Sequence, residues 1–351
     1  MFVAVMLTCL AQAPDTCRDV VLPASEMASQ EVCLATLEHV VPAWLDRHPG
    51  LVAQPAECRD AGSLDALTTQ EIAPDVHVHL GEAGQIAGEN RGRIANLSFI
   101  IGDTVGVIDA GASRAEGEAL YLAIRRLTDK PISHLILTHM HPDHALGAEV
   151  FAEAGATIVG HAHLAQSLNM RAETYLSNLD RIVGGQEMIG TNVVAPDEAA
   201  EDELGLDLGG RQVTLFPVAT AHTDNDLMVY DASSGVLFTG DLLFRELTPV
   251  VDGSLNGWLD WLAVQPTLGQ TLIVPGHGPV ADDWAVAVAP QAEFLRTLRD
   301  ETRKAIDAGM PMSNAVPSIL QALQPLAGGW TAFDENTARD ATAAYKELEW
   351  E

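Results

Sequence analysis

Basic residues are scarce in this sequence. There are 19 Lys and Arg against 49 Asp and Glu, a formal charge of −30. Such a field repels phosphate backbones, so general nucleic-acid binding and binding to anionic membranes are excluded. The surplus acid reads as a solvated surface. Cysteine is also scarce: the four residues, Cys9, Cys17, Cys33 and Cys58, lie in the first sixth of the chain. None forms a CxxC pair, so a cysteine-ligated zinc site is not supported. No apolar run is long enough to span a bilayer as a helix, which takes about 20 residues. Internal repeats and low-complexity tracts are absent. Gly and Pro are dispersed, so long disorder is not indicated.

The opening, MFVAVMLTCLAQAP, has the apolar character of a secretion leader, and AQA at 11–13 fits a small-residue cleavage site. Residues 1–13 are therefore expected to be a signal peptide, although the usual basic start is missing; a buried N-terminal strand or helix is the other reading. The leader points to a periplasmic or secreted protein, with a cytoplasmic one as the alternative. Cleavage after Ala13 would leave three cysteines, enough for one disulfide and a spare thiol. Cys33–Cys58 is favoured, because each lies beside an expected helix boundary or loop.

Residues 14–62 are expected to form a small, Cys-containing helical appendage. SEMASQEVCLATLEHVVPAWLDRHPG has apolar residues at helical spacing and stops at Pro49-Gly50. From about residue 68 the pattern changes. DVHVHL, IANLSFIIG, TVGVIDAG, HLILTHMH, RQVTLFPVATAHT, LMVYDA, VLFTGDLLF and TLIVPGHGPV read as strands. GEALYLAIRRLTDK and HLAQSLNMRAETYLSNL read as helices. Strand-rich, mixed and again strand-rich segments imply a layered α/β domain with two sheets over 68–290. Residues 291–351 are expected to be a helical C-terminal extension, with Asp334 capping the last helix.

The chemistry concentrates in THMHPDH, residues 138–144. Proline breaks helices and ladders, so this is a loop with no packing reason to hold three imidazoles. His139 and His141 are two apart, and in an extended segment they point the same way. Asp143 and His144 follow a proline turn that can aim them at a neighbouring position. His222, Asp241 and His277 each end an apolar strand beside small or turn residues. If those strands are neighbours, seven side chains converge on one rim. Imidazole and carboxylate suit zinc, and also iron or manganese. His77 and His79, and His161 and His163, lack a following carboxylate and are read as structural or surface residues.

On these residues the sequence resembles the metallo-β-lactamase-fold hydrolases, whose signature is His-x-His-x-Asp-His followed by a His, an Asp and a His at strand ends. The resemblance spans about 70–280. It implies a four-layer αββα sandwich with a dinuclear site at its edge. By position, His139, His141 and His222 would hold one ion, Asp143, His144 and His277 the other, and Asp241 would bridge them. A bridging Asp resembles the glyoxalase II and lactonase-like branch, and true zinc β-lactamases differ there. The glutathione-gripping basic cluster of the thioester hydrolases has no clear counterpart beyond Arg296, Arg299, Arg303 and Lys304. RHPG near the start and TAAYKELEWE at the end resemble exported zinc metallohydrolases associated with sulfur-oxidation and quinoprotein gene clusters.

The chemistry expected is therefore cleavage of a thioester, ester or lactone by hydroxide held between two zinc ions. Asp143 would orient the nucleophile and shuttle a proton. Tyr175 would contact the oxyanion or substrate. Asp109 would orient a ligand histidine, and Asn96 would line the cleft. The turn-rich FRELTPVVDGSLNGW would form one wall. Alternatives are a mononuclear iron persulfide dioxygenase and a non-catalytic partner in a periplasmic redox system. The expected partner is a small-molecule substrate, with a homo-oligomer left open.

Overall fold

The computed structural model describes all residues, 1–351. It begins with a four-stranded sheet. Strands β1 (Phe2–Leu10) and β2 (Ala13–Met27) form a long hairpin, and β3 (Leu51–Ala53) and β4 (Glu57–Asp60) pair with the other edge of β1. Helix α1 (Gln30–Arg47) packs on this sheet, with Trp44 buried against Met6, Val20 and Leu22. Ser29 caps it by accepting from Val32 N.

The segment expected as a leader is thus the central strand of a sheet. Val3, Ala4, Val5 and Met6 are fully buried, so its apolar residues serve packing. The expected helical appendage is correspondingly mixed, one helix on four strands. Cys33–Cys58 is bridged as expected, and a second bridge, Cys9–Cys17, joins directly paired residues of β1 and β2. No thiol is left over.

The rest is an αββα sandwich. The first sheet has the order β11-β10-β9-β8-β7-β6-β5. It comprises β5 (Gln70–Ala73), β6 (Val76–His79), β7 (Leu97–Ile101), β8 (Val105–Ile108), β9 (Ile132–Ile136), β10 (Thr157–His161) and β11 (Glu198–Ala200). Its outer face carries α2 (Arg114–Leu127), α4 (Ala148–Glu153) and α5 (Leu164–Val183); the short turns α3 (Pro142–Ala145) and α6 (Gly185–Met188) lie between. The second sheet runs β12 (Leu204–Asp207), β13 (Gln212–Pro217), β14 (Leu227–Asp231), β15 (Val236–Phe244) and β16 (Leu272–His277) in spatial order. Helices α7 (Leu255–Leu262), α8 (Trp284–Asp307), α9 (Met312–Leu323) and α10 (Phe333–Leu348) share a core with its outer face.

Alternation explains the layering. In β7, Leu97, Phe99 and Ile101 join the helix-side core, while Ile100 joins the core between the sheets. The inter-sheet core is closed by Val213, Leu215, Val229 and Phe238 from the second sheet. Both faces of each sheet are covered, which is why the strands read as near-continuous apolar runs.

Two C-terminal expectations need correction. Helix α8 runs through Pro290, so the expected break there is not a helix boundary. Asp334 is not the cap of α10: Ala332 occupies that position with φ 55°, and Asp334 lies in the first turn, accepting from Gln324. No helix is long and apolar enough to cross a membrane.

Candidate metal centre

The loop after β9 is shaped by Pro142, which stands at the first position of α3 and seeds a helical turn. That turn carries Asp143 and His144 inward, while His139 and His141 precede it in the loop. His222 follows β13, in a bend tied by Asp226, which accepts from Thr223 N and Oγ1. Asp241 sits within β15 just after Gly240, where φ is 51° and the register with β16 shifts. A Cβ at Gly240 would lie 2.7 Å from the Thr138 side chain. His277 ends β16 between Gly276 and Gly278; a Cβ at Gly276 would overlap the Asp241 carboxylate. Glycine is required at both positions because the Thr138 side chain and the Asp241 carboxylate occupy the space a Cβ would take.

All seven expected ligands converge and all but His141 are buried. His141 Nδ1 lies 3.1 Å from His139 Nε2 and 2.9 Å from His222 Nε2. Asp241 Oδ2 lies 3.6 Å from His139 Nε2 and 3.4 Å from His222 Nε2. Its other oxygen, Oδ1, lies 3.2 Å from His144 Nε2 and 3.3 Å from His277 Nε2. Asp143 Oδ2 completes the second set, 3.6 Å from His144 Nε2 and 3.4 Å from His277 Nε2. Donors at about 2.0 Å around one tetrahedral ion stand roughly 3.3 Å apart, which these spacings approach.

The far side of every imidazole is also engaged. His139 Nδ1 bonds Thr138 Oγ1 (3.1 Å), His141 Nε2 bonds Asp252 (3.0 Å), and His144 Nδ1 bonds Asp109 (2.7 Å). His222 Nδ1 bonds the Val250 carbonyl (2.7 Å) and His277 Nδ1 the Ile94 carbonyl (2.8 Å). Carbonyls and carboxylates accept, so those nitrogens carry the proton and the inward ones present lone pairs. Inward lone pairs crowded within 3.1 Å need a cation between them. His144 Nε2 and Asp241 Oδ1 are buried without a hydrogen-bond partner, as ligand atoms are. The donor set therefore fits divalent metal ions.

The electrostatics agree. Burial drives His222 down to about 3, with the His141 charge adding to it, so His222 is a neutral acceptor. Burial likewise holds His139 well below its ordinary value. Burial opposes charge on His144, but Asp241, Asp109 and Asp143 outweigh it and raise this histidine. The three carboxylates thus demand positive charge at the centre.

Asp109 holds His144 and also accepts from Thr138 N and Oγ1. It does so with φ 61°, an uncommon conformation for a residue other than glycine. Asn96 is buried and does not line the cleft; its amide donates to the carbonyls of Pro275 and Gly278, bracing the backbone around His277. Tyr175 lines the cleft near Arg171, and its hydroxyl has no well-formed hydrogen bond. Burial raises it to about 12, so it stays a donor. The FRELTPVVDGSLNGW segment contributes Leu247 and Val250 to the wall. His77 stacks on Phe99, and His163 bonds the Asp224 carbonyl. Arg299, Arg303 and Lys304 pair locally with Asp300, Glu351 and Glu301.

Asp252 and Arg171 escaped sequence reasoning. Asp252 holds His141, and Arg171 donates to the same carboxylate at 2.7 Å. Asp252 lies in the segment read as a cleft wall and Arg171 in a helix, but no motif marks either as a partner of His141; the contact exists only in space.

The Metallo-beta-lactamase superfamily profile matches residues 91–277, more than half the chain. The chain belongs to that superfamily. Acyl-coenzyme A thioesterase MBLAC2 of Gallus gallus is 28% identical over 133 residues, 36% of this chain and 44% of that protein. Linear primary-alkylsulfatase of Pseudomonas sp. (strain ATCC 19151) is 22% identical over 265 residues, 65% of this chain and 49% of that protein. The chain thus spans about half the length of these two relatives. Among solved structures, DIM-1 metallo-beta-lactamase superposes with a TM-score of 0.51 at 16% identity, covering 66% of this chain and 98% of that one. This last likeness concerns the fold alone.

Proposed function

We propose that the protein is a dinuclear zinc hydrolase cleaving a thioester, ester or lactone. The observation that carries the reading is Asp241, whose two oxygens each face a separate set of lone-pair nitrogens. His139, His141 and His222 would hold one ion and Asp143, His144 and His277 the other, with Asp241 between. When bound, zinc supplies an ionised water at neutral pH and polarises the scissile carbonyl.

The chain's own groups do the rest. Asp143 orients the ionised water, takes up its remaining proton at the carboxylate once it has added to the carbonyl, and passes that proton to the leaving oxygen or sulfur. Tyr175, protonated at neutral pH, donates to the oxyanion as the carbonyl becomes tetrahedral. Phe244 stacks on His277 at 5.1 Å and with Ile94 and Leu247 makes the apolar wall. The thioesterase relative supports acyl chemistry. Two disulfides support an oxidising, exported setting.

The test is elemental analysis with a substrate panel: glutathione thioesters including S-lactoylglutathione, lactones, nitrocefin and a phosphodiester. Two zinc ions per chain, with turnover of a thioester, ester or lactone lost on chelation and regained with zinc, is the expected result. Iron with oxygen uptake on glutathione persulfide, or turnover of the phosphodiester alone, overturns it.

A further inference from the structure

We propose that the substrate carries a carboxylate remote from its scissile carbonyl, and that Arg339 on α10 is the residue that binds it. The inference rests on the hydrolase reading and adds the substrate's charge and size.

The cleft before the candidate metal centre is lined by Arg171, Tyr175, Phe244, His277 and, from the C-terminal helices, Asn336 and Arg339. Its carboxylates are committed. Asp143 and Asp241 face the histidines, and Asp252 is shared by His141 and Arg171. Asp340, next to Arg339 in sequence, is buried and turned to Val251 N. Asn336 is spent on Gln85 and the Thr248 carbonyl. Arg339 is exposed at the rim, and its guanidinium makes neither a hydrogen bond nor an ion pair with the protein.

An unpaired guanidinium is notable in a chain with 49 acidic residues against 19 basic ones. Arg171, the other basic residue lining the cleft, is already paired with Asp252, so Arg339 is the free cation at its mouth, where it attracts an anion toward the site. Its planar fork matches a carboxylate in bidentate geometry. The cleft is about 200 Å³, smaller than the roughly 300–1,000 Å³ of drug-sized ligand sites. The part of the substrate held between the centre and Arg339 is therefore compact, with a short spacer between carbonyl and anion. Arg339 lies outside the residues matched by the superfamily profile, 91–277, so this selectivity belongs to the chain's own C-terminal helices.

Two esters of equal chain length test it: mono-4-nitrophenyl glutarate, which is anionic, and 4-nitrophenyl pentanoate, which is neutral. They are compared on zinc-loaded wild type, Arg339→Gln and Arg339→Lys, each checked by circular dichroism. Wild type is expected to favour the anionic ester by at least about tenfold in kcat/KM, the scale of a hydrogen bond to a charged group. Arg339→Gln brings the ratio close to one, and Arg339→Lys keeps part of it. No preference in wild type, or the same preference in Arg339→Gln, overturns the proposal. If neither ester turns over, the hydrolase reading still stands or falls on the thioester, ester and lactone panel, and calorimetric binding of glutarate decides Arg339. At least about tenfold weaker binding by Arg339→Gln supports it, and equal binding refutes it.

Discussion

Asp109 is a residue whose conformation and contacts make sense only together. Its left-handed backbone brings one carboxylate oxygen to Thr138 N and the other to both Thr138 Oγ1 and His144 Nδ1. One side chain thereby sets the loop and the tautomer of a candidate ligand. Asp109→Asn can still accept from Thr138 N but offers His144 an N–H in place of an acceptor. Its zinc affinity, measured by competition with a chromophoric chelator, is expected to fall about 10–100-fold. Unchanged affinity would show that His144 needs no orienting partner. Asp252 stands in the same relation to His141, and Arg171 holds it in place.

Among the elements, α10 does more than extend the chain. Three of its residues tie down the segment after β15: Asn336 donates to the Thr248 carbonyl, Asp340 accepts from Val251 N, and Glu347 accepts from Ser254 Oγ, Leu255 N and Asn256 N. The tied segment includes Val250 and Asp252, which hold His222 and His141. The helix thus buttresses one half of the candidate centre from outside the sandwich. Glu347 also supplies acceptors at the N-terminus of α7, where backbone donors lack helical partners. Glu347→Ala is expected to cost about 1–2 kcal/mol, read as a lower denaturant midpoint with an unchanged slope. In the appendage, Cys33–Cys58 closes a loop of 25 residues between α1 and β4. Replacing both cysteines by Ser is expected to cost about 3 kcal/mol, and a midpoint equal to that of the parent would contradict the staple role.

At the scale of the whole molecule, buried acids make stability depend on pH. Asp340 is fully buried, and burial raises it to about 8, from an ordinary value of 3.8. Its folded form keeps a proton that the unfolded chain has lost. The contribution is therefore fully present below pH 4 and is lost as pH rises through 8. Asp340→Asn retains an acceptor for Val251 N and does not titrate. The stability of Asp340→Asn relative to the parent should rise from pH 5 to pH 8, by at least about 1 kcal/mol. Parallel stability curves for the two proteins would exclude Asp340 as the titrating group.

Much of this architecture is legible in the amino-acid order. The sandwich follows from apolar strand runs and amphipathic helices, and THMHPDH with the strand-end His222, Asp241 and His277 marks the centre. Those signals are local: a proline turn, a strand period, a glycine beside a ligand. Residues 2–10 left two readings open because an apolar strand buried on both sides has the composition of a leader, and the strand becomes visible only through its pairing with β2 and β3. Asn96, Asp252, Arg339 and Asp340 were decided by the tertiary structure alone. Their partners lie far away in sequence, and hydrogen-bond geometry and loss of solvent leave no imprint on nearest neighbours.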